Sequence, residues 1–219
     1  MSPELLDSEA ALELWADWEV AMRRRLRRAR PGVGGHVLGD LQACVRRDPA
    51  ALDARLTHVR WLLEAQRPRE AREAYLGLLV DQRGNVDVAL SVASLAARNG
   101  DFLTARSVLK ELVAQEAGET DRLRLLLGQV NEELGLIDEA MASYRTVAVG
   151  EHFAAAQGRL AVLLAGQGRQ DEALAGLRAA ALEPGAAVSA LQLQEAALLR
   201  EAGQREQAFR VIDMVLQRE

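Results

Sequence analysis

The sequence contains little of what sheets, disulfides or nucleic-acid surfaces need. Aromatic residues make up 4% of the 219 residues and there are only five prolines, whereas alanine and leucine dominate. This composition is typical of helices and poor for a sheet, so we expect an all-α protein. Cys44 is the single cysteine, which excludes an intrachain disulfide. It lies in a predicted helix, where we expect it to be a small buried hydrophobe.

Basic charge and long apolar runs are also scarce. The formal net charge is -5, and Lys110 is the only lysine among 27 basic residues. A protein dedicated to nucleic acid normally carries a strong basic excess, so this class is disfavoured. No run of ~18 apolar residues occurs, and the N-terminus lacks a basic segment followed by an apolar stretch and a cleavage site. We therefore expect no membrane span, no export signal in this chain and, by default, a cytoplasmic location.

What the chain does contain is a short pattern that recurs five times. Each copy closes on an alanine, and these alanines are separated by 34, 35, 33 and 35 residues: Ala71, Ala105, Ala140, Ala173 and Ala208. In four copies a glycine stands five positions earlier, namely Gly100, Gly135, Gly168 and Gly203. Each glycine follows an apolar run of helical period and can adopt the left-handed conformation that ends a helix. The pattern therefore predicts a helix, a tight turn and a second helix in every copy.

The residues around each alanine predict how the two helices pack. Acidic residues such as Asp138 and Glu139 suit the first turn of the second helix, where they complement its dipole. The alanine is small enough to let the antiparallel helices approach closely. One turn later comes a large residue that we expect to fill the space between neighbouring repeats, namely Tyr75, Leu109, Tyr144, Leu177 and Ile212.

This pattern resembles the tetratricopeptide repeat, most closely at Leu127, Gly128, Ala140 and Tyr144. The resemblance implies a right-handed α-solenoid of antiparallel helix pairs. Its small position in the first helix reads Val59, Ala93, Gly128, Ala161 and Ala196, so the first repeat departs from the family. We expect a helical N-terminal segment with a degenerate repeat over 1–51, and five repeats over 52–219, at 52–85, 86–120, 121–153, 154–188 and 189–219.

In this family the first helices line a concave groove that holds an extended peptide or a partner helix. Carried onto this sequence, the groove comprises Leu56, Arg60, Leu63, Leu90, Ser94, Arg98, Leu125, Gln129, Glu132, Val162, Leu193, Ala197 and Arg200. The leucines form an apolar track with charged margins, suited to an amphipathic peptide or helix. The clamp that grips the acidic tails of heat-shock chaperones is missing, because its positions hold Leu56, Thr57, Arg60, Leu90, Ser91 and Ser94. A co-chaperone role is therefore rejected.

Two features of the C-terminal half bear on partners. Residues 123–212 resemble a stretch of large proteobacterial outer-membrane lipoproteins that deliver substrates to a periplasmic protease. This resemblance implies a periplasmic location if the chain is a fragment of such a protein. The last helix carries Phe209, Ile212, Val215 and Leu216 with no helix to cap them, which predicts a longer array, self-association or a partner there.

No catalytic, metal or cofactor site emerges from the sequence. His36, His58 and His152 fall in three different repeats, without the paired spacing of metal ligands. The glycine-rich segment 32–40 has no preceding strand and no lysine-serine or lysine-threonine pair after it, so an interhelical turn is favoured over a phosphate loop. Cys44 has no histidine one turn away to act as its base. We therefore expect no enzyme.

One cluster of like charge leaves an alternative open. Six arginines fall within eight residues, namely Arg23, Arg24, Arg25, Arg27, Arg28 and Arg30. They form either a solvated helix end or a docking patch for an acidic protein, an anionic lipid or nucleic acid. The sequence thus favours a protein-binding scaffold. The alternatives are an accessory region of a larger protein and a nucleic-acid-associated regulator that uses this helix.

Overall fold

The computed structural model describes residues 34–116 and 119–217, and in them the chain is helical throughout, with no strand. Eleven helices lie in these residues: α1 Gly34–Arg47, α2 Leu52–Glu64, α3 Pro68–Asp81, α4 Val86–Arg98, α5 Phe102–Ala114, α6 Thr120–Glu133, α7 Ile137–Arg145, α8 Phe153–Gly166, α9 Gln170–Ala180, α10 Val188–Glu201 and α11 Arg205–Leu216. The predicted all-α class is confirmed.

Within each compact unit the helices pack in chain order. Contacts divide the chain into two compact units, residues 1–74 and 75–219, at a point inside α3. Within the first unit α1 packs on α2. Within the second, α4, α6, α8 and α10 each pair with the following helix, and α5, α7 and α9 each pack on the hairpin that follows. Because the connections are short, paired helices run antiparallel.

The turns inside the hairpins share one conformation. The four glycines predicted to end first helices all have positive φ, between 71° and 78°, which confirms their role. Gln66, which stands where the first repeat has no glycine, also takes the left-handed conformation, at φ 57°. Each turn is closed by a backbone hydrogen bond from the residue that follows the left-handed one, as in Leu136 N–H to the Asn131 carbonyl at 2.8 Å. The pairing satisfies carbonyls that a helix end would otherwise leave open.

The predicted seam of alanines and large residues is buried. Ala71, Ala105, Ala140 and Ala173 are fully inaccessible, and Ala208 is 5% exposed. Tyr75, Leu109, Tyr144 and Leu177 are at most 2% exposed, whereas Ile212 at the same position of α11 is 37% exposed. Ile212 differs because no described helix follows α11.

Gly128 shows why the small position matters. A Cβ placed on it would overlap the aromatic ring of Tyr144, which lies against α6. Glycine therefore lets a tyrosine occupy a position that holds leucine in the hairpins α4–α5 and α8–α9. Tyr144 packs there fully buried.

Two predictions for the N-terminal part are wrong, and one is untested. Cys44 is exposed rather than buried, because the buried line of α1 runs through Leu38 and Leu41 and Cys44 lies about 90° around the helix from it. The glycine-rich segment 32–40 is not a turn over most of its length, since α1 begins at Gly34. The arginine cluster at 23–30 lies outside the described residues.

Candidate functional site

All thirteen residues predicted to line the groove lie on the first helices of the hairpins, and none of them is buried. Leu56, Arg60 and Leu63 belong to the unit 1–74 and the other ten to the unit 75–219. Within each first helix the opposite face enters the core, as Val92 and Ala96 do on α4. The helices therefore leave the predicted side chains at least partly accessible to solvent.

The structure brings Ser94 and Gln129 together. They lie on the rim of a depression of about 120 Å³ between α4 and α6, which we call the α4–α6 depression. Its remaining lining is mostly apolar and comes from Ala93, Ala97, Phe102, Leu109, Leu126, Val130 and Glu133. The Ser94 hydroxyl donates to the Leu90 carbonyl at 3.0 Å, so this donor does not need an acceptor from a bound ligand. The depression has room for an aliphatic side chain, since one water takes about 30 Å³ of the liquid.

Further along, the first helices α8 and α10 expose small and apolar side chains. Val162 is 43% exposed and Leu193 is 51% exposed. Leu193, Ala197 and Arg200 also line a cavity of about 400 Å³ between α10 and α11. Its other residues are Ala196, Arg205, Ala208, Phe209 and Ile212. The predicted track thus continues into an apolar cavity with arginines at its rim.

Glu132 differs from the other predicted groove residues because its carboxylate is already engaged. The side chain is 11% exposed and pairs with Arg159 of α8, whose Nε lies 3.0 Å from Oε1. The Tyr144 hydroxyl donates to the same carboxylate. Burial, and then this hydrogen bond, raise the pKa of Tyr144 well above its ordinary value, and the hydrogen bond from Arg159 to Glu132 raises the pKa of Arg159. Glu132 therefore joins α6, α7 and α8.

An apolar groove on the second helices was not predicted from the sequence. It has a volume of about 740 Å³ and lies between the end of α3 and the length of α5, with the loop 82–85 and the start of α4 at its base. Leu103 on its edge is 71% exposed. One signal was available, since the matching positions in the other repeats carry charges, namely Arg69, Asp138, Asp171 and Glu206.

The His, Cys, Asp and Glu side chains of the described residues are candidates to bind a metal ion or to act as a base. The described residues contain no cluster of three His, Cys, Asp or Glu side chains placed to hold a metal ion. The Nε2 atom of His58 is buried without a hydrogen-bond partner. Burial, followed by the nearby Arg67, lowers the pKa of His58, which favours the neutral ring. Among the described helices, none combines the length and apolar character needed to cross a membrane.

Comparison with known proteins finds similarity of structure. No family model matches the chain, and no curated protein matches its sequence. The pilF protein of Pseudomonas aeruginosa aligns with a TM-score of 0.59 at 16% identity, over 93% of this chain and 89% of that chain. Nearly identical TPR-like repeats from Podosopora anserina align with a TM-score of 0.57 at 18% identity, over 77% of this chain and 95% of theirs. MamA aligns with a TM-score of 0.56 at 16% identity, over 80% and 93%.

Proposed function

Because the chain has the fold of a tetratricopeptide-repeat array, as its repeats predicted, we propose that it is a protein-interaction scaffold. The surface that binds the partner is the exposed face of α4, α6, α8 and α10. Its ligand is a helix or an amphipathic peptide of another protein. The observation that carries the proposal is the α4–α6 depression, where Ser94 and Gln129 from consecutive first helices border one apolar hollow.

The chemistry of this face sets what the ligand must provide. Leu90 and Leu125 are partly exposed on neighbouring first helices. Two charged side chains are exposed as well: Glu133, which lines the depression, and Arg98, which follows Ala97 of its lining. An apolar side chain of the ligand would fill the depression and release water from both surfaces. Polar groups next to that anchor would meet Arg98 and Glu133. A helix with one apolar stripe and charged margins satisfies both conditions.

The groove is tested by comparing baits that differ by one leucine. The wild-type chain, Leu125→Glu and the matched control Leu103→Glu are each used to recover binding proteins from lysate of the host. Leu125 is one of the predicted groove residues, whereas Leu103 lies on α5 and is 71% exposed. We expect wild type and Leu103→Glu to recover the same proteins and Leu125→Glu to lose them. Equal recovery by all three baits contradicts the proposal, and loss with Leu103→Glu alone moves the site to the apolar groove between α3 and α5.

A second variant separates loss of binding from loss of folding. Leu125 packs partly against the core, so its replacement by glutamate also lowers stability. Gln129 is an exposed polar side chain on the rim of the α4–α6 depression, so Gln129→Arg places a larger, charged group there and leaves the buried apolar residues unchanged. We expect Gln129→Arg to keep the thermal unfolding midpoint of the wild type and to lose the same partners. A fully folded Gln129→Arg that still recovers them would count against the groove.

A further inference from the structure

One face of α11 exposes apolar side chains at positions that are buried in earlier second helices of the unit 75–219. Phe209 occupies the position of Met141 and Leu174, which are 3% and 5% exposed, yet Phe209 is 71% exposed. Ile212 occupies the position of Leu109, Tyr144 and Leu177. With Leu193, Ala197 and Ala208 these side chains line the cavity of about 400 Å³ described above. The surface formed by α10 and α11 is therefore shaped to receive a first helix.

Earlier junctions show which polar contacts accompany such a helix. Where α8 follows α6, Glu132 of the earlier first helix pairs with Arg159 of the later one. Where α10 follows α9, Arg178 of the earlier second helix donates to Glu195 of the later first helix at 2.6 Å. Arg159 and Glu195 stand two and one residues before the small position of their helices. These two positions of an incoming helix thus meet charged residues of the preceding hairpin.

At the last hairpin the charges at both contact points are reversed. Arg200 of α10 stands in the register of Glu132, and Asp213 of α11 stands in the register of Arg178. Both side chains are exposed, and the Asp213 carboxylate accepts a local hydrogen bond from Gln217, one turn further along the chain, at 2.9 Å. A helix seated here needs an acidic residue opposite Arg200 and a basic residue opposite Asp213.

The first helices in the described part of the chain do not meet that requirement. The residues two and one before their small positions are Thr57 and His58, Ser91 and Val92, Leu126 and Leu127, Arg159 and Leu160, and Gln194 and Glu195. None of these pairs is an acid followed by a base. A second copy that stacked through any of them would place no complementary charge at Arg200 or Asp213. Charge complementarity therefore favours a helix from a different protein over a second copy stacked through one of these described helices.

We propose that the α10–α11 surface is a second docking site, which binds an amphipathic helix of a partner protein that carries an acidic residue and then a basic residue immediately before a small residue. Apolar side chains of that helix pack on Phe209 and Ile212. Its acid pairs with Arg200 and its base with Asp213. The site shares Leu193, Ala197 and Arg200 of α10 with the proposed groove, but Phe209, Ile212 and Asp213 lie on α11 outside it. It therefore goes beyond the proposed groove function and can be tested apart from it through α11.

Two synthetic peptides with the sequence of α10 as their template provide the probe. Both copy residues 188–201 and carry a side-chain crosslink, because a short free helix is marginal in water. The matching peptide contains Gln194→Glu and Glu195→Arg, and the control contains Gln194→Arg and keeps Glu195. Affinity for the whole chain is measured by fluorescence anisotropy. We expect the matching peptide to bind about fivefold or more tightly than the control, as two partly exposed ion pairs allow.

Exchange of charge in the protein makes the test decisive. The variant Arg200→Glu with Asp213→Arg should prefer the control peptide, and Phe209→Ala should weaken both. Leu125→Glu, which tests the groove, should leave both affinities unchanged, so the two proposals fail separately. Equal binding of the two peptides, or a preference that does not reverse in the exchanged variant, overturns the proposal. It is also overturned if light scattering shows dimers that Phe209→Ala abolishes, since a second copy would then cover the surface.

Discussion

Gly128→Ala is the most informative single change for the fold, because the added methyl group would touch Tyr144, whose hydrogen bonds connect three helices. The added Cβ would overlap the ring of Tyr144, so the ring must move. The ring has little freedom, since it is fully buried and its hydroxyl donates to Glu132. Glu132 in turn holds Arg159 of α8. We therefore expect the change to loosen the contact between α6 and α7 and the contact between α6 and α8.

The magnitude follows from three opposing effects. Overpacking a buried site costs about 1–3 kcal/mol. Loss of a hydrogen bond to a charged group costs about 1.5–3 kcal/mol. Alanine in place of glycine within a helix stabilises the folded state by about 1 kcal/mol, which offsets part of these costs. The free energy of unfolding should thus fall by roughly 1.5–5 kcal/mol, the range set by these contributions.

The assay is urea unfolding followed by circular dichroism, with two comparisons. Gly176→Ala, in α9, has nothing within 4 Å of the new Cβ and should gain up to about 1 kcal/mol. Gly128→Ala with Tyr144→Leu should recover most of the lost stability, because the hairpins α4–α5 and α8–α9 combine alanine with leucine at these positions. The reasoning is refuted if Gly128→Ala is as stable as wild type, or if Tyr144→Leu fails to restore it.

Three further predictions concern single groups. The pKa of Tyr144 is raised in the folded protein, so the stability contributed by its hydroxyl is fully present below the ordinary pKa of 10.0 and is lost progressively above it. In urea unfolding, the stability advantage of wild type over Tyr144→Phe should therefore be smaller at about pH 11 than at about pH 8. Asp101→Ala should cost about 2–4 kcal/mol and Asn85→Ala about 1 kcal/mol in the same assay, because both cap helices but Asp101 also accepts the Tyr75 hydroxyl at 2.6 Å. Cys44 should react fully with a thiol reagent in native buffer, and a requirement for denaturant would contradict its exposure.

The regular part of the fold could be predicted because its signals are local. Three residue types define each hairpin: a glycine at a helix end, an alanine on a helix face and a large residue one turn later. Each acts over a few residues, so their spacing in the sequence is enough to predict the hairpin. Gln66 shows the limit of this reasoning. It adopts the left-handed conformation of the matching glycines, although nothing in its residue type indicates it. The remaining turn geometry imposes that conformation.

The candidate site was less predictable because its contacts join different helices. Glu132 was assigned to the groove from its position in the repeat, yet Tyr144 and Arg159 hold its carboxylate from two other helices. No one-dimensional pattern reveals such a pair. Cys44 was misplaced for a related reason, since the buried face of α1 depends on where α2 packs. The accessibility of the other predicted groove residues follows from the helical period alone, because they share one face of each first helix.

The junctions between hairpins explain how similar units keep one order. The apolar seam is nearly the same at each junction, so burial alone would favour several pairings almost equally. The polar contacts differ: Tyr75 bonds to Asp101, Arg106 to Asn131 at 2.9 Å, Glu132 to Arg159, and Arg178 to Glu195. A displaced hairpin would leave these groups without their partners, and unpaired buried polar groups are costly. The seam therefore supplies most of the stability, while the polar contacts specify which hairpin stacks on which.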